Sequence, residues 1–385
     1  MARRGADQKT ASLSRRGRRR DSPSSQTSPP EGLPDPVHSD PARFEPARFE
    51  PATPGARSPL PAVVSSLPIL ILYPHSRCNC RCVMCDIWKV ATAEEISAEA
   101  LESYLADIRA LEVEWVVFSG GEPLMHTDLF RLTALLRDCG VRTTILTTGL
   151  LLAENAARIV EGVDDVIVSL DGPPAVHDRI RRVAGAFARL EEGVRALRRL
   201  RAAYPVSARC TVQRENHGQL RRTVATALEL GLDSISFLAA DLTSTAFNRP
   251  EGWPAAQQAR VGLTAEQIAD LDAEVAALLR EFPSEVASGF IREDAPRLRR
   301  LARHFRAHLG LEQAEAPRCN APWVSAVIES DGTVRPCFFH APYGNARGIG
   351  LREVINGPAA VDFRLNLDVA ADEICRRCVC SLYRR

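Results

Sequence analysis

The chain has 385 residues, 45% of them hydrophobic, with a formal net charge of +1. That length suggests two or three domains at roughly 150 residues each, and the apolar content is ample for a buried core. Near neutrality gives no argument for a polyanionic partner over the whole chain, so nucleic acid is not the expected partner, and no run of about 18 apolar residues exists to span a membrane. The basic start (Arg3, Arg4, Arg15, Arg16, Arg18, Arg19, Arg20) is not followed by the apolar stretch of a secretory signal, so a cytoplasmic, reducing setting is expected. In such a setting clustered thiols bind metal or do redox work more often than they pair as disulfides.

Residues 1 to 62 are rich in Pro, Ser and Arg and carry a direct repeat, PARFE-PARFE, at 41–50. Such a segment buries too little apolar surface to offset its ordering entropy, and a disordered tail without a folded leader-binding domain is expected. From Leu67 short apolar runs alternate with helical periodicity. Strands are predicted at 69–73, 115–118, 143–146, 166–168, 207–212 and 234–238. The intervening helices are marked by Leu101, Leu105 and Ile108, by Leu129, Leu132, Leu135 and Leu136 ending at Gly140, and by Leu190, Val194, Leu197 and Leu200.

Six strand–helix repeats imply parallel strands joined by right-handed crossovers, hence an α/β fold: a partial (β/α)6 barrel of the TIM type over 67–245. In such barrels the loops after the strands gather on one face. CNCRCVMC follows the first predicted strand, SGGEP the second, TTG the third and SLDG the fourth. Two amphipathic helices, near 263–282 and 294–309, form a helical linker over 246–314. A small C-terminal α+β domain is expected over 315–385, with a β-hairpin turning at Asp331-Gly332. The loop residues Asp241, Asn248, Arg249 and Trp253 either face a substrate or only connect the barrel to the linker.

Cys78, Cys82 and Cys85 have the spacing C-x3-C-x2-C. Three thiolates from one loop can hold three irons of a cubane and leave the fourth iron open, whereas most protein cubanes use four cysteines. This loop resembles the cluster motif of radical S-adenosylmethionine (radical SAM) enzymes. The resemblance implies a [4Fe–4S] cluster whose open iron binds S-adenosylmethionine, and reductive cleavage of that cofactor to a 5′-deoxyadenosyl radical. It extends to SGGEP, where Gly120, Gly121, Glu122 and Pro123 look like the family's methionine-binding turn, with the Glu122 carboxylate offered to the ammonium group. It also covers SLDG, with Ser169 and Asp171 at the ribose and carboxylate, and Arg209 as a basic partner of that carboxylate. Two features depart from the family pattern: Met84 stands where an aromatic residue is usual, and Cys80 is an extra thiol, expected to be a bystander. Cys139 and Cys210 are expected to be buried structural thiols. His177 and Asp178 are expected to serve the start of a helix.

A second set of thiols runs from Cys319 through Cys337 to Cys375, Cys378 and Cys380. Taken alone, its gaps would also suit a zinc site. With the barrel beside it, the set resembles the C-terminal SPASM and twitch domains of the same superfamily. That likeness implies an auxiliary [4Fe–4S] cluster on Cys319, Cys337, Cys375 and Cys378, with Cys380 able to replace Cys378. The expected activity is hydrogen abstraction followed by oxidative modification of a peptide, with a reductant such as flavodoxin or ferredoxin. The alternatives are a dehydrogenase or decarboxylase of a small molecule such as a sugar or alcohol, and, in another class, a non-catalytic iron–sulfur or zinc protein.

Overall fold

A computed structural model describes residues 60–384. The expected tail lies outside the described residues as far as position 59. All six predicted strands form, each reaching at or beyond its predicted ends: β1 (Ile69–His75), β2 (Trp115–Gly120), β3 (Arg142–Thr147), β4 (Asp165–Ser169), β5 (Val206–Val212) and β6 (Ser234–Ala239). They pair in sequence order and in parallel. Between them run α1 (Ala98–Ala110), α2 (Leu129–Arg137), α3 (Leu152–Gly162), α4 (Pro174–Arg181), α5 (Ala186–Leu200) and α6 (Leu220–Glu229).

The period-two alternation of the strands explains how the sheet is faced. Leu70 and Leu72, Val116 and Phe118, Val166 and Val168, and Ile235 and Phe237 are buried on the helix side. Each such side chain contributes about 1.5–3 kcal/mol by leaving water. Alternate positions turn the other way, and Ser169, Arg209 and Ser236 form one row across β4, β5 and β6. That row lines the concave inner face, so the polar residues of this half of the sheet point into the barrel.

The barrel stays open. Past β6, the backbone of Ile235 bonds to Phe290 and Arg292, and the Phe237 N–H donates to the Glu293 carboxylate at 2.9 Å, so this edge is covered without a seventh parallel strand. Past β1 the sheet continues with β7 (Ser325–Ile328), parallel to β1, then the antiparallel β8 (Thr333–Arg335) and β9 (Gly344–Asn345). The hairpin turns at Asp331-Gly332, as its sequence indicates. Gly332 has φ +86°, and the Asp331 carboxylate accepts the Thr333 N–H and hydroxyl at 2.9 Å. The C-terminal hairpin thereby shares one nine-stranded sheet with the barrel. Pairing between strands more than two hundred residues apart leaves no local sequence mark.

After β6 come α7 (Ala255–Val261), α8 (Ala265–Glu281), α9 (Pro283–Ser288) and α10 (Ala295–His308). A Thr264/Gln267 capping box starts α8, and the Asp294 side chain caps α10. Their buried stripes, Ile268, Leu271, Val275 and Leu278 in one and Leu298, Leu301 and Phe305 in the other, join the core that covers the sheet. Short helices α11 (Ala321–Val324), α12 (Leu351–Ile355), α13 (Pro358–Asn366) and α14 (Glu373–Arg376) complete the C-terminal part. Among the described residues no helix is long and apolar enough to cross a membrane.

Candidate metal centres

The first cysteine loop is braced by four others. Backbone N–H groups of Gly121 and Glu122 donate to the carbonyls of His75 and Arg77, at 3.3 and 2.8 Å. A methyl group on Gly121 would lie 2.0 Å from the Arg77 oxygen, and one on Gly120 (φ +91°) 2.6 Å from the Tyr73 ring. The two glycines therefore let the second loop lie directly on the first. Glu122 is fully buried. Its carboxylate accepts from Thr147 Oγ1 and Thr148 N, each at 2.7 Å, and from Leu124 N at 3.1 Å, so it ties the second loop to the third. Burial raises its pKa against the pull of these donors.

The fourth loop reaches the cysteines through α4. Carbonyls of Ile180 and Arg181 accept the N–H groups of Val83 and Arg81. Arg181 forms a buried ion pair with Asp171 at 2.6 Å, and its Nη1 stands 3.6 Å from Cys82 Sγ. Asp171 also accepts the Thr211 N–H at 3.0 Å. Burial works against the guanidinium charge, but Asp171 and the thiols outweigh it and keep Arg181 cationic. His177 is buried beside it, its pKa depressed to about 3 by burial and by Arg181. Asp178 caps α5 through the N–H groups of Gly185 and Phe187.

Beyond the sixth strand, Trp253 Nε1 donates to Asp86 at 2.7 Å, Asn248 donates to the Asp86 carbonyl at 3.0 Å, and Gln257 donates to the Val83 carbonyl at 3.3 Å. Arg249 pairs with Asp241 at 2.5 Å. Asn248, Arg249 and Trp253 thus border an open pocket together with Asp86 and Gln257, and Asp241 is joined to them through Arg249.

Cys78, Cys80, Cys82 and Cys85 cluster together with Met84 alongside. Hydrogen bonds to Cys78 and Cys82, and then burial, push the Cys80 thiol far up, so it stays protonated between its neighbours. The Cys80 thiol, and then Arg181, bring Cys82 down to about 7 against burial. Burial raises Cys85 to about 12, although the Ile87 N–H faces its sulfur. Arg209 is exposed to the barrel interior, with its Nε 3.3 Å from Ser236 Oγ. Cys210 is buried, whereas Cys139 is only half-buried because it sits one residue past the end of the cap of α2.

The second thiol set lines a single apolar cavity. Cys319, Cys337, Cys375, Cys378 and Cys380 all border it, along with Phe338, Phe339 and His340. Burial raises the pKa of Cys337 to about 11 and that of Cys380 as well. Two sulfurs already face main-chain N–H donors, with Ala321 N 3.4 Å from Cys319 Sγ and Phe339 N 3.5 Å from Cys337 Sγ, and His340 Nε2 lies 3.3 Å from Cys375 Sγ. Five convergent thiols with donors aimed at sulfur suit an anionic metal–thiolate cluster, and the residues present fit the group.

Sequence reasoning missed Arg181, His340 and the Asp86–Trp253 pair. Arg181 ends the helix in VHDRIRR, but only the folded chain shows that it turns inward to Asp171. His340 follows Cys337 by three positions, a proximity that was legible and unused.

Residues 72–227 match the Radical SAM superfamily model, and this part of the chain is a domain of that superfamily. Its C-terminal part, residues 319–379, matches the iron–sulfur cluster-binding SPASM domain. An AdoMet-dependent heme synthase of Methanosarcina barkeri (strain Fusaro) is 31% identical over 40% of this chain and 45% of its own length. The match therefore spans under half of that relative. A PqqA peptide cyclase of Ruegeria pomeroyi is 26% identical over 84% of this chain and 82% of its own. In fold the chain is similar to Streptococcus suis SuiB bound to S-adenosylmethionine, with a TM-score of 0.56 at 15% identity, covering 83% of this chain and 74% of that one.

Proposed function

We propose that this protein cleaves S-adenosylmethionine reductively at the first cysteine loop and oxidises a peptide side chain, with the second thiol set receiving an electron. The observation that carries the reading is the position of Tyr73. Its ring stacks on Phe338, the residue after Cys337, with centroids 6.2 Å apart, and its hydroxyl is raised in pKa chiefly by burial. Tyr73, on the strand that leads into the first cysteine loop, thus reaches from that loop to the second thiol set.

Cys78, Cys82 and Cys85 would hold the first cluster, and Cys319, Cys337, Cys375 and Cys378 the second. When bound, the cluster and cofactor supply a 5′-deoxyadenosyl radical able to take a hydrogen atom from an unactivated carbon. The chain supplies binding, orientation and exclusion of water. Gly120 to Pro123 shape the turn beside the cofactor. Ser169 and Arg209 face the barrel interior, and the exposed guanidinium of Arg209, its Nε 3.3 Å from Ser236 Oγ, is suited to the cofactor's carboxylate. Glu122 and Asp171 act from behind, as braces rather than as direct partners. Flavodoxin or ferredoxin would serve as the reductant.

The peptide substrate is supported by the likeness to a PqqA peptide cyclase over most of both chains. A second reading, oxidation of a small molecule, is favoured by the likeness to a heme synthase. The test is release of 5′-deoxyadenosine by anaerobically reconstituted, dithionite-reduced protein, run beside Cys82→Ala. Release by the wild type alone supports the reading. No release from iron-loaded wild type, with or without candidate peptides, sinks it.

A further inference from the structure

In the second thiol set, Cys319 and Cys337 face main-chain N–H groups, whereas Cys375 faces a side chain, the imidazole of His340. That ring is 5% exposed and rests edge-on against Phe363 with centroids 4.9 Å apart, so its direction is fixed by packing. Its Nε2 lies 3.3 Å from Cys375 Sγ and 3.7 Å from Asp372 Oδ1. A metal-bound thiolate can only accept, which requires Nε2 to be the ring nitrogen carrying hydrogen. Asp372 is held in place by accepting the Cys375 N–H at 2.8 Å, at the start of α14.

We propose that His340 donates an Nε2–H hydrogen bond to the Cys375 sulfur and thereby raises the reduction potential of the auxiliary cluster, making it a better electron acceptor. A donor aimed at a ligand sulfur stabilises the extra negative charge of the reduced cluster more than that of the oxidised one. His340 is thus a positioning and tuning residue. The inference rests on the reading of the second thiol set as an electron-accepting cluster.

Nε2, the Asp372 carboxylate and Cys375 Sγ also lie within 4.8 Å of one another, close enough to share a single metal ion. The place of Cys375 among the four thiols of the auxiliary cluster argues against that use, because its sulfur is then already a ligand of that cluster.

The experiment is an EPR-monitored redox titration of the reconstituted full-length protein, with S-adenosylmethionine added to mark the signal of the open-iron cluster. The auxiliary signal is the one that the cofactor does not perturb. In His340→Phe, iron content should stay at the wild-type value while the auxiliary reduction equilibrium falls about tenfold, 59 mV for one electron. His340→Gln, which keeps an N–H of similar reach, should stay within about threefold of wild type. An iron-loaded His340→Phe with an unchanged midpoint overturns the proposal. Loss of the auxiliary iron from both variants also overturns it, because His340 would then be a ligand. A wild type with a single EPR-active cluster removes the acceptor itself, and that failure of the underlying reading is distinct from an unshifted midpoint.

Discussion

Arg181→Met is the substitution that most directly probes how the first cysteine loop is held. The side chains of Arg181 and Asp171 are 8% and 0% exposed and pair at 2.6 Å. Removing one partner strands a buried carboxylate, which costs about 3–5 kcal/mol. Against a total stability of about 5–15 kcal/mol that is a large share, equivalent to a midpoint lower by roughly 10 °C. The loss should appear in thermal unfolding of the reduced, metal-free protein followed by circular dichroism. Asp171→Asn combined with Arg181→Met removes both charges, while the asparagine oxygen still accepts the Thr211 N–H, bonded at 3.0 Å. The double variant should therefore recover at least half of the loss. A single variant costing under about 1 kcal/mol, or a double variant no better than the single, would refute the assignment of Asp171 as the counter-ion of Arg181.

Gly121→Ala places a methyl group 2.0 Å from the Arg77 carbonyl and should cost about 3 kcal/mol, with iron lost from the first site when counted per chain. Burial raises Glu293 from 4.5 to about 7, against the pull of the Phe237 N–H and Arg209. The native state then holds a proton that the unfolded chain has lost, so stability falls as pH rises from about 4.5 through 7. Glu293→Gln keeps an acceptor for Phe237 and should be more stable than wild type by about 3 kcal/mol at pH 8 and indistinguishable near pH 4, as read from urea midpoints. Cys375→Ala should leave 5′-deoxyadenosine release intact while abolishing the oxidised product, measured by mass spectrometry. Product formation at the wild-type rate would remove the electron-accepting role.

The barrel was legible because its signals are local. Val166 and Val168 mark a strand, Leu129, Leu132 and Leu136 mark a helix face, and Asp331-Gly332 marks a hairpin. The thiols were legible by spacing and by resemblance. What escaped depends on chain segments far apart in sequence. The pairing of β7 with β1 places Ser325 beside Ile69. The inward turn of Arg181 depends on Asp171, which is itself fixed by Thr211 on β5. Asp171 and Glu122 read as cofactor contacts through the resemblance of SLDG and SGGEP, and their protein partners are the part that the sequence does not show. In the fold each is fully buried and taken up by protein donors.

The most direct test of the central claim is an iron count combined with EPR on the anaerobically reconstituted protein, with and without S-adenosylmethionine. Two [4Fe–4S] clusters correspond to about eight irons per chain, and the triple variant Cys78→Ala/Cys82→Ala/Cys85→Ala should retain about four. The cofactor should change the wild-type spectrum and leave that of the triple variant untouched. Zinc in place of iron, or a wild-type spectrum that S-adenosylmethionine does not alter, would contradict the account.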